Sequence, residues 1–163
     1  MKLEKIGLGG GCHWCTEAVF DALRGVTTVE QGYISSFDEF VVYSEAVIVH
    51  YDPEIIRLQD LIEIHLHTHK STSNHSFRKK YRSAVYYFEA SKKEEIQNII
   101  KDLQSDFELP IITLVLPFNN FVSSSEEFVQ YYSKNPEKPF CKRYIHPKLE
   151  LLRKKYTNSM ISD

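Results

Sequence analysis

The sequence predicts an α+β fold, a single-domain two-layer sandwich in which helices cover a mixed, partly antiparallel sheet. Apolar residues recur with both strand and helix spacing, in an order that does not alternate strictly between the two. The predicted strands at 27–34 and 41–51 are joined by a short polar turn, so this pair must be antiparallel. At 163 residues the chain is long enough for one domain with a sizeable core.

The predicted elements follow in chain order. A strand at 4–9 leads into three glycines, and a helix at 13–24 carries one apolar stripe. The two strands already named come next. The remaining elements are a helix at 58–69, a strand at 84–88, a helix at 91–103, a strand at 111–116, and helices at 124–132 and 147–156. The order of the first six elements is typical of a ferredoxin-like core. One domain is expected over 1–156, with a flexible tail over 157–163.

Composition excludes several classes of protein. The formal net charge is −2, so neither a nucleic acid nor a membrane surface is an expected partner. No apolar run approaches a spanning helix, and the first residues do not resemble a signal peptide. The three cysteines cannot all pair within one chain, which favours a reducing, cytoplasmic location and a redox or catalytic role.

Cys12 follows three glycines at the junction between the first predicted strand and helix. Glycines let the backbone turn tightly and leave its N–H groups bare. A thiol at the positive end of a helix has a lowered pKa and is nucleophilic as the thiolate. We therefore predict that Cys12 is a catalytic thiolate, and a buried, inert cysteine is the alternative.

Cys15 and Trp14 lie in the same segment, and each has two interpretations. Cys15 forms a Cys-x-x-Cys pair with Cys12, in which the second thiol resolves an oxidised first one. Cys15 also begins the apolar stripe of the helix, so it equally suits the core. Trp14 is the only tryptophan, and it either walls an apolar pocket beside the thiol or packs in the core.

Glu45 lies in an otherwise apolar strand sequence. Burial of its charge is costly, and it would raise the pKa of the carboxyl group and keep it protonated. A protonated carboxyl group suits a general acid, so Glu45 is a candidate catalytic residue. The alternative is an exposed position at the end of the strand.

Four histidines, His65, His67, His69 and His75, are close in sequence, and the first and third have a spacing that metal sites use. Both of these lie on the apolar stripe of a predicted helix, so we expect buried, hydrogen-bonded histidines and no metal. A His-rich metal-binding module is the alternative. Tyr81 follows a cationic run, which predicts a solvated loop or a positive field that favours a nearby thiolate.

Several short segments occur in order along nearly the whole chain. They are Gly-Gly-Cys12-His-Trp14-Cys15-Thr-Glu17, Gly25-Val26, Gly32-Tyr33, Ser44-Glu45-Ala46-Val47, Tyr51-Asp52-Pro53, Tyr81-Arg82-Ser83-Ala84, Asn135-Pro136, Phe140-Cys141 and Pro147-Lys148-Leu149. Together they resemble the A-type peptide methionine sulfoxide reductases, whose signature is Gly-Cys-Phe-Trp-Gly/Cys-x-Glu.

The resemblance implies a catalytic domain that reduces methionine S-sulfoxide, in oxidised proteins or peptides and in the free amino acid, without a cofactor. Cys12 would attack the sulfoxide sulfur and become a sulfenic acid, which a thiol recycles. Glu45 would protonate the oxygen, Tyr81 would hydrogen-bond it, and Trp14 would pack on the S-methyl group. Thioredoxin would return the electrons. Such an oxidoreductase repairs proteins under oxidative stress.

The sequence differs from the family pattern around the substrate. His13 stands where the family has phenylalanine, so a histidine takes this substrate-binding position. The segment between Tyr33 and Glu45 is short, and Tyr43 is the nearest substitute for a second oxygen-binding tyrosine. The aspartate of the family's Gly-Asn-Asp segment is absent, and Ser76 or His75 is nearest to its place.

Two alternatives stay open at the level of sequence. The resolving thiol is Cys15 or Cys141, unless thioredoxin or a small thiol reduces the sulfenic acid directly. A thiol-disulfide oxidoreductase that uses Cys12 and Cys15 is the alternative function. Disulfide exchange does not need an acid at Glu45, so this residue discriminates the two functions.

Overall fold

The computed structural model describes residues 2–74, 78, 80–125 and 131–161. The strands are β1 (Glu4–Gly9), β2 (Val26–Ser35), β3 (Ser44–Tyr51), β4 (Ala84–Tyr87), β5 (Leu114–Pro117) and β6 (Asn120–Ser123). The α-helices are α1 (His13–Asp21), α2 (Leu58–His67), α3 (Lys92–Leu103), α4 (Tyr131–Lys134) and α5 (His146–Tyr156). None of the helices in the described part of the chain is long and apolar enough to cross a membrane.

The strands form one sheet in the order β5-β4-β1-β3-β2-β6. Neighbouring strands are antiparallel, except that β4 and β5 run parallel. The mixed, partly antiparallel sheet predicted from the sequence is therefore confirmed. β3 lies between β1 and β2 and is buried along nearly its whole length. This position explains its apolar residues on both faces, because both sides of a central strand are covered.

Side chains of β3 alternate between two apolar clusters, one on each face of the sheet. Val47 and Val49 belong to the larger cluster, which also contains residues of α1, α2, α3 and α5. Ala46 and Ile48 belong to the smaller cluster, whose buried members all come from strands. Because side chains alternate along a strand, these four helices share one face of the sheet.

Three strand predictions differ clearly from the structure, and one of them is β5, which begins at Leu114 rather than at 111. β6 was not predicted, because it is a short edge strand with mostly exposed residues and no period-two pattern. β3 begins at Ser44 rather than at 41, because residues Asp38–Phe40 form a 3₁₀ turn and Val41 and Val42 are exposed. The hairpin register consequently pairs Tyr33 with Glu45.

The ends of the predicted helices differ as well. The helix predicted at 124–132 lies largely at 126–130, outside the described residues, and α4 occupies Tyr131–Lys134. An unpredicted π-helical turn at Cys141–Ile145 leads into α5. Beyond α5, Met160 pairs with Leu23, and the Ile161 N–H donates to the Ala22 carbonyl oxygen (2.8 Å). The part of the predicted tail that the structure describes is thus held against the domain, and its flexibility stays a prediction.

Candidate active site

The glycine turn after β1 is fixed by buried and half-buried side chains. Gly10 has φ +154°, and a Cβ atom there would come within 2.4 Å of the His69 ring, so glycine is required. The His65 Nε2 donates to the Gly9 carbonyl oxygen (2.8 Å), and the Arg78 Nη1 donates to the Gly10 carbonyl oxygen (2.9 Å). Arg78 and the helix α2 therefore hold the turn that presents Cys12.

The predicted buried histidines are hydrogen bonded in this way. His65 is 2% exposed, and desolvation lowers its pKa to about 4. The His69 Nε2 contacts the Ser83 hydroxyl (2.8 Å), and His67 pairs with Asp106 nearer the surface. His65 and His69 support the turn, with their ring centroids 4.2 Å apart, whereas His67 faces Asp106. His75, Ser76 and Lys79 lie outside the described residues.

Cys12 is the N-cap residue of α1, as the glycine pattern predicts. Its carbonyl oxygen accepts the N–H groups of Cys15 (3.1 Å) and Thr16 (3.2 Å), which begin the helix. The pKa of the Cys12 thiol is lowered mainly by a hydrogen bond from the Cys15 thiol. The nearby His13 ring and the Trp14 N–H lower it further, and burial opposes them. The local donors therefore favour the thiolate.

Glu45 extends from β3 to the N-terminus of α1. Its Oε1 accepts the backbone N–H of His13 (3.2 Å), and Lys80 Nζ lies 3.7 Å from its Oε2. The residue is 5% exposed, and desolvation raises the pKa of its carboxyl group, although His13 and Lys80 oppose the rise. A buried carboxyl group with a raised pKa is what proton donation requires.

His13 joins the thiol and the carboxyl group. Its ring is almost fully buried, and Nδ1 lies 3.0 Å from Glu45 Oε1. A ring nitrogen of His13, the Cys12 Sγ and a Glu45 carboxylate oxygen all lie within 4.8 Å of one another. Tyr33 stands edge-on to the ring at 5.3 Å between centroids. The histidine in the family's phenylalanine position thus contacts the two groups with catalytic potential.

The three predicted aromatic site residues are placed differently from one another. Trp14 packs edge-on to Phe140 at 5.1 Å, beside Cys12. Tyr81 is half-buried, and Lys80 Nζ lies 5.2 Å from its ring centroid, so Lys80 bridges Tyr81 and Glu45. Tyr43 is 40% exposed, and its hydroxyl oxygen accepts a hydrogen bond from Asn120 Nδ2 (2.7 Å) at the sheet edge.

The two candidate resolving cysteines are both free and buried. Cys15 contacts Cys12 directly, and this contact together with desolvation raises the pKa of the Cys15 thiol. Cys141 is fully buried in the core cluster, on the π-helical turn before α5, and it interacts electrostatically with Cys15. Burial of the three thiols thus increases from Cys12 at the candidate site through Cys15 to Cys141 in the core.

The sequence predictions did not include the contact of Tyr33 with His13 or that of Lys80 with Glu45. Tyr33 reaches the site because it is the partner of Glu45 in the β2–β3 register. Lys80 reaches it because its carbonyl oxygen accepts the Glu45 N–H (3.0 Å), which places the cationic loop beside the carboxyl group. A correct hairpin register was the signal that could have found Tyr33.

The rate at which iodoacetamide alkylates Cys12 should rise with pH around a midpoint near the lowered pKa of the thiol, about 5, because the thiolate is the reactive form. Cys15→Ala removes the strongest donor, and a charge-assisted hydrogen bond contributes about 1.5–3 kcal/mol, so the midpoint should rise by about one to two pH units. Mass spectrometry of the alkylated peptide gives the rate at each pH. Cys141→Ala is the matched control, and an unshifted midpoint in Cys15→Ala would contradict the assigned cause.

Comparisons with known proteins identify one family. The family described as Peptide methionine sulfoxide reductase matches residues 4–160. Peptide methionine sulfoxide reductase MsrA of Thermus thermophilus is 32% identical over 170 residues, which cover 96% of this chain and 97% of the relative. Mxr1 from Saccharomyces cerevisiae in its reduced form has a similar fold, with a TM-score of 0.75 and 23% identity over 86% of this chain and 90% of that one. Mxr1 in complex with Trx2 gives a TM-score of 0.62 and 23% identity over 78% and 85%.

A cysteine thiol with a lowered pKa at a helix N-terminus, beside a buried carboxyl group, is an arrangement typical of enzymes that use a cysteine nucleophile. The chain belongs to the peptide methionine sulfoxide reductase family, because the match extends from β1 to Met160. The resemblance inferred from the ordered segments is confirmed.

Proposed function

We propose that this chain is a thiol-dependent peptide-methionine (S)-S-oxide reductase with Cys12 as its nucleophile. The observation that carries the proposal is the convergence of Cys12, His13 and Glu45 within 4.8 Å at the N-terminus of α1. The substrates are oxidised proteins or peptides that carry methionine sulfoxide, and free methionine sulfoxide is a second candidate. The family and the relatives named MsrA support the reaction.

The reaction balances with the groups at hand. The Cys12 thiolate attacks the sulfoxide sulfur, and the Glu45 carboxyl group gives its proton to the sulfoxide oxygen. This attack forms a transient S–S bond, and the protonated oxygen then moves from the methionine sulfur to the Cys12 sulfur. The S–O bond of the sulfoxide and the transient S–S bond break, and an S–O bond to Cys12 forms. Methionine leaves reduced by two electrons, Cys12 becomes a sulfenic acid, and Glu45 becomes a carboxylate. No metal or cofactor takes part in this sequence.

In the proposal, the residues around the Cys12 thiol bind the methionine sulfoxide substrate. In the proposal Trp14 packs on the S-methyl group, since its backbone N–H interacts with the Cys12 thiol and its ring is held by Phe140. Tyr81 hydrogen-bonds the sulfoxide oxygen, and its link through Lys80 to Glu45 supports this placement. For the second tyrosine, the register favours Tyr33 over Tyr43, because Tyr33 lies opposite Glu45. His13 orients the Glu45 carboxyl group through its ring and its N–H.

We assign the resolving step to Cys15. Its thiol displaces hydroxide from the Cys12 sulfenic acid, so that a Cys12–Cys15 disulfide and water form. Residues three apart on a helical turn have Cβ atoms about 5–6 Å apart, which is slightly more than a disulfide needs, so a small adjustment of the first turn suffices. Thioredoxin then reduces the disulfide. The yeast structure of Mxr1 in complex with Trx2 supports this partner.

The finer architecture is part of the same proposal. The order β4-β1-β3-β2, with α1 and α2 as crossovers, supports a ferredoxin-like core in two layers. We propose residues 1–156 as the catalytic domain and 157–163 as its tail. Recycling of three free thiols suits the cytoplasm, where thiols stay reduced.

The proposed function is tested with the two separated epimers of dabsyl-methionine sulfoxide and dithiothreitol. We expect turnover of the S epimer only, and none by Cys12→Ser, because the nucleophile is lost. Reduction of insulin disulfides is measured in parallel. Turnover of neither epimer would overturn the proposal, and efficient insulin reduction that is indifferent to Glu45→Gln would favour the thiol-disulfide oxidoreductase.

A further inference from the structure

Three side chains with metal-ligating atoms meet at the N-terminus of α1. The Cys12 sulfur, a ring nitrogen of His13 and a carboxylate oxygen of Glu45 lie within 4.8 Å of one another. Across the part of the chain that the structure describes, this is the group of three cysteine, histidine or acidic side chains that satisfies this distance. The group lies inside the proposed active site, and the reaction proposed above does not require a metal there.

We propose that Cys12, His13 and Glu45 form a binding site for Zn²⁺, and that the bound ion reversibly inhibits the enzyme by coordinating its nucleophile. Binding of the ion stands independently of the activity. Inhibition rests on the proposed function, because it requires Cys12 to be the attacking group.

The ligand set fits zinc in type and spacing. Thiolate sulfur, imidazole nitrogen and carboxylate oxygen are its usual ligands, at about 2.0–2.3 Å, so two ligand atoms of a tetrahedral ion stand about 3.4–3.6 Å apart. The His13 Nδ1 and the Glu45 Oε1 are already 3.0 Å apart. Closure of the trio around an ion therefore needs only small side-chain movements. Three protein ligands leave the fourth position for water.

The His13 Nδ1 lies 3.0 Å from Glu45 Oε1, but the buried imidazole lacks the well-directed hydrogen bonds that such a ring normally makes. His13 is 4% exposed, and neither ring nitrogen makes a well-directed hydrogen bond to any residue that the structure describes. Buried polar atoms are seldom left in this state. Coordination of an ion would satisfy one of these nitrogens. Cys12 is only half-buried, which leaves the trio an approach from solvent.

The other histidines that the structure describes do not offer such a site. His65 and His69 use ring nitrogens on the Gly9 carbonyl oxygen and the Ser83 hydroxyl. His50 pairs with Glu30 on the surface (2.6 Å) without a thiol beside it. The proposed site therefore depends on the residue at position 13, where a phenylalanine would leave only two ligands.

Binding is tested directly with Co²⁺, whose tetrahedral complexes with thiolates absorb strongly. Reduced, metal-free protein is titrated anaerobically, and Zn²⁺ then displaces the cobalt. We expect one equivalent of Co²⁺ with a thiolate-to-cobalt charge-transfer band. His13→Phe and Cys12→Ser should each weaken cobalt binding at least about tenfold, because even the residues that only orient metal ligands contribute about this much. His50→Gln is the matched control and should bind cobalt like the wild type.

Inhibition is measured separately in a single turnover without added reductant, since dithiothreitol itself binds zinc. Zn²⁺ should abolish the formation of methionine from methionine S-sulfoxide, and a chelator should restore it. Absence of the cobalt band, or unchanged binding by His13→Phe, would overturn the site. Binding that is lost in Cys15→Ala but kept in His13→Phe would assign the ion to the two cysteines instead. Cobalt binding by a protein that reduces neither epimer would refute the proposed function and leave the site standing.

Discussion

Replacement of Glu45 with glutamine is expected to lower kcat/KM for methionine S-sulfoxide by about a hundredfold to ten-thousandfold. General acid catalysis by a positioned side chain contributes about this much, and glutamine cannot supply the proton. The substitution keeps an oxygen that can accept the His13 N–H, so the N-terminus of α1 should retain its structure. Steady-state kinetics on the S epimer provide the measurement.

The pH profile separates loss of the acid from a structural effect. The thiolate is active above its lowered pKa, and the carboxyl group is active below its raised pKa, so the wild-type rate should be bell-shaped. Glu45→Gln should lose the fall at high pH that belongs to this group. The control is Glu30→Gln, which removes a carboxylate from a surface pair with His50 and should stay within about twofold. If Glu45→Gln kept more than about half of the activity, Glu45 would not be the acid.

Replacement of Cys15 with alanine is expected to lower thioredoxin-dependent turnover by about a hundredfold or more. An adjacent thiol attacks the sulfenic acid intramolecularly, and this advantage of proximity is lost in the variant. After reaction with one equivalent of sulfoxide without reductant, the mass of the wild-type protein should decrease by two hydrogen atoms, because the disulfide forms. Cys15→Ala should instead carry one added oxygen on Cys12, which dimedone traps.

Cys141→Ala discriminates the second candidate for this step. Cys141 is fully buried in the core, whereas Cys15 contacts Cys12, so we expect the Cys141 variant to form the Cys12–Cys15 disulfide normally. A dimedone adduct in Cys141→Ala and none in Cys15→Ala would reverse the assignment. Adducts in neither variant would show that each thiol can replace the other.

Much of the fold was predictable because the signals are local. β1 has the predicted bounds, α1 begins at the predicted residue, and β3 is central because its residues are apolar on both faces. The errors occur where contacts between distant residues, rather than a local sequence pattern, determine the structure. β6 forms through its pairing with β2, which is distant in sequence. The helix predicted from 91 begins at Lys92, and the side chain of Ser91 makes no cap hydrogen bond.

The sequence by itself predicted where the candidate nucleophile and the candidate acid lie. Three glycines before a helical pattern place Cys12 at the N-terminus of α1, and one carboxyl group in an apolar strand is expected to be buried. Only the tertiary structure decided which groups face them. Tyr33 reaches the site through the β2–β3 register, and His13 meets Glu45 because α1 packs with its N-terminus at the start of β3. Register and packing depend on residues distant in sequence, whereas a glycine turn and a helix start are set by their immediate neighbours.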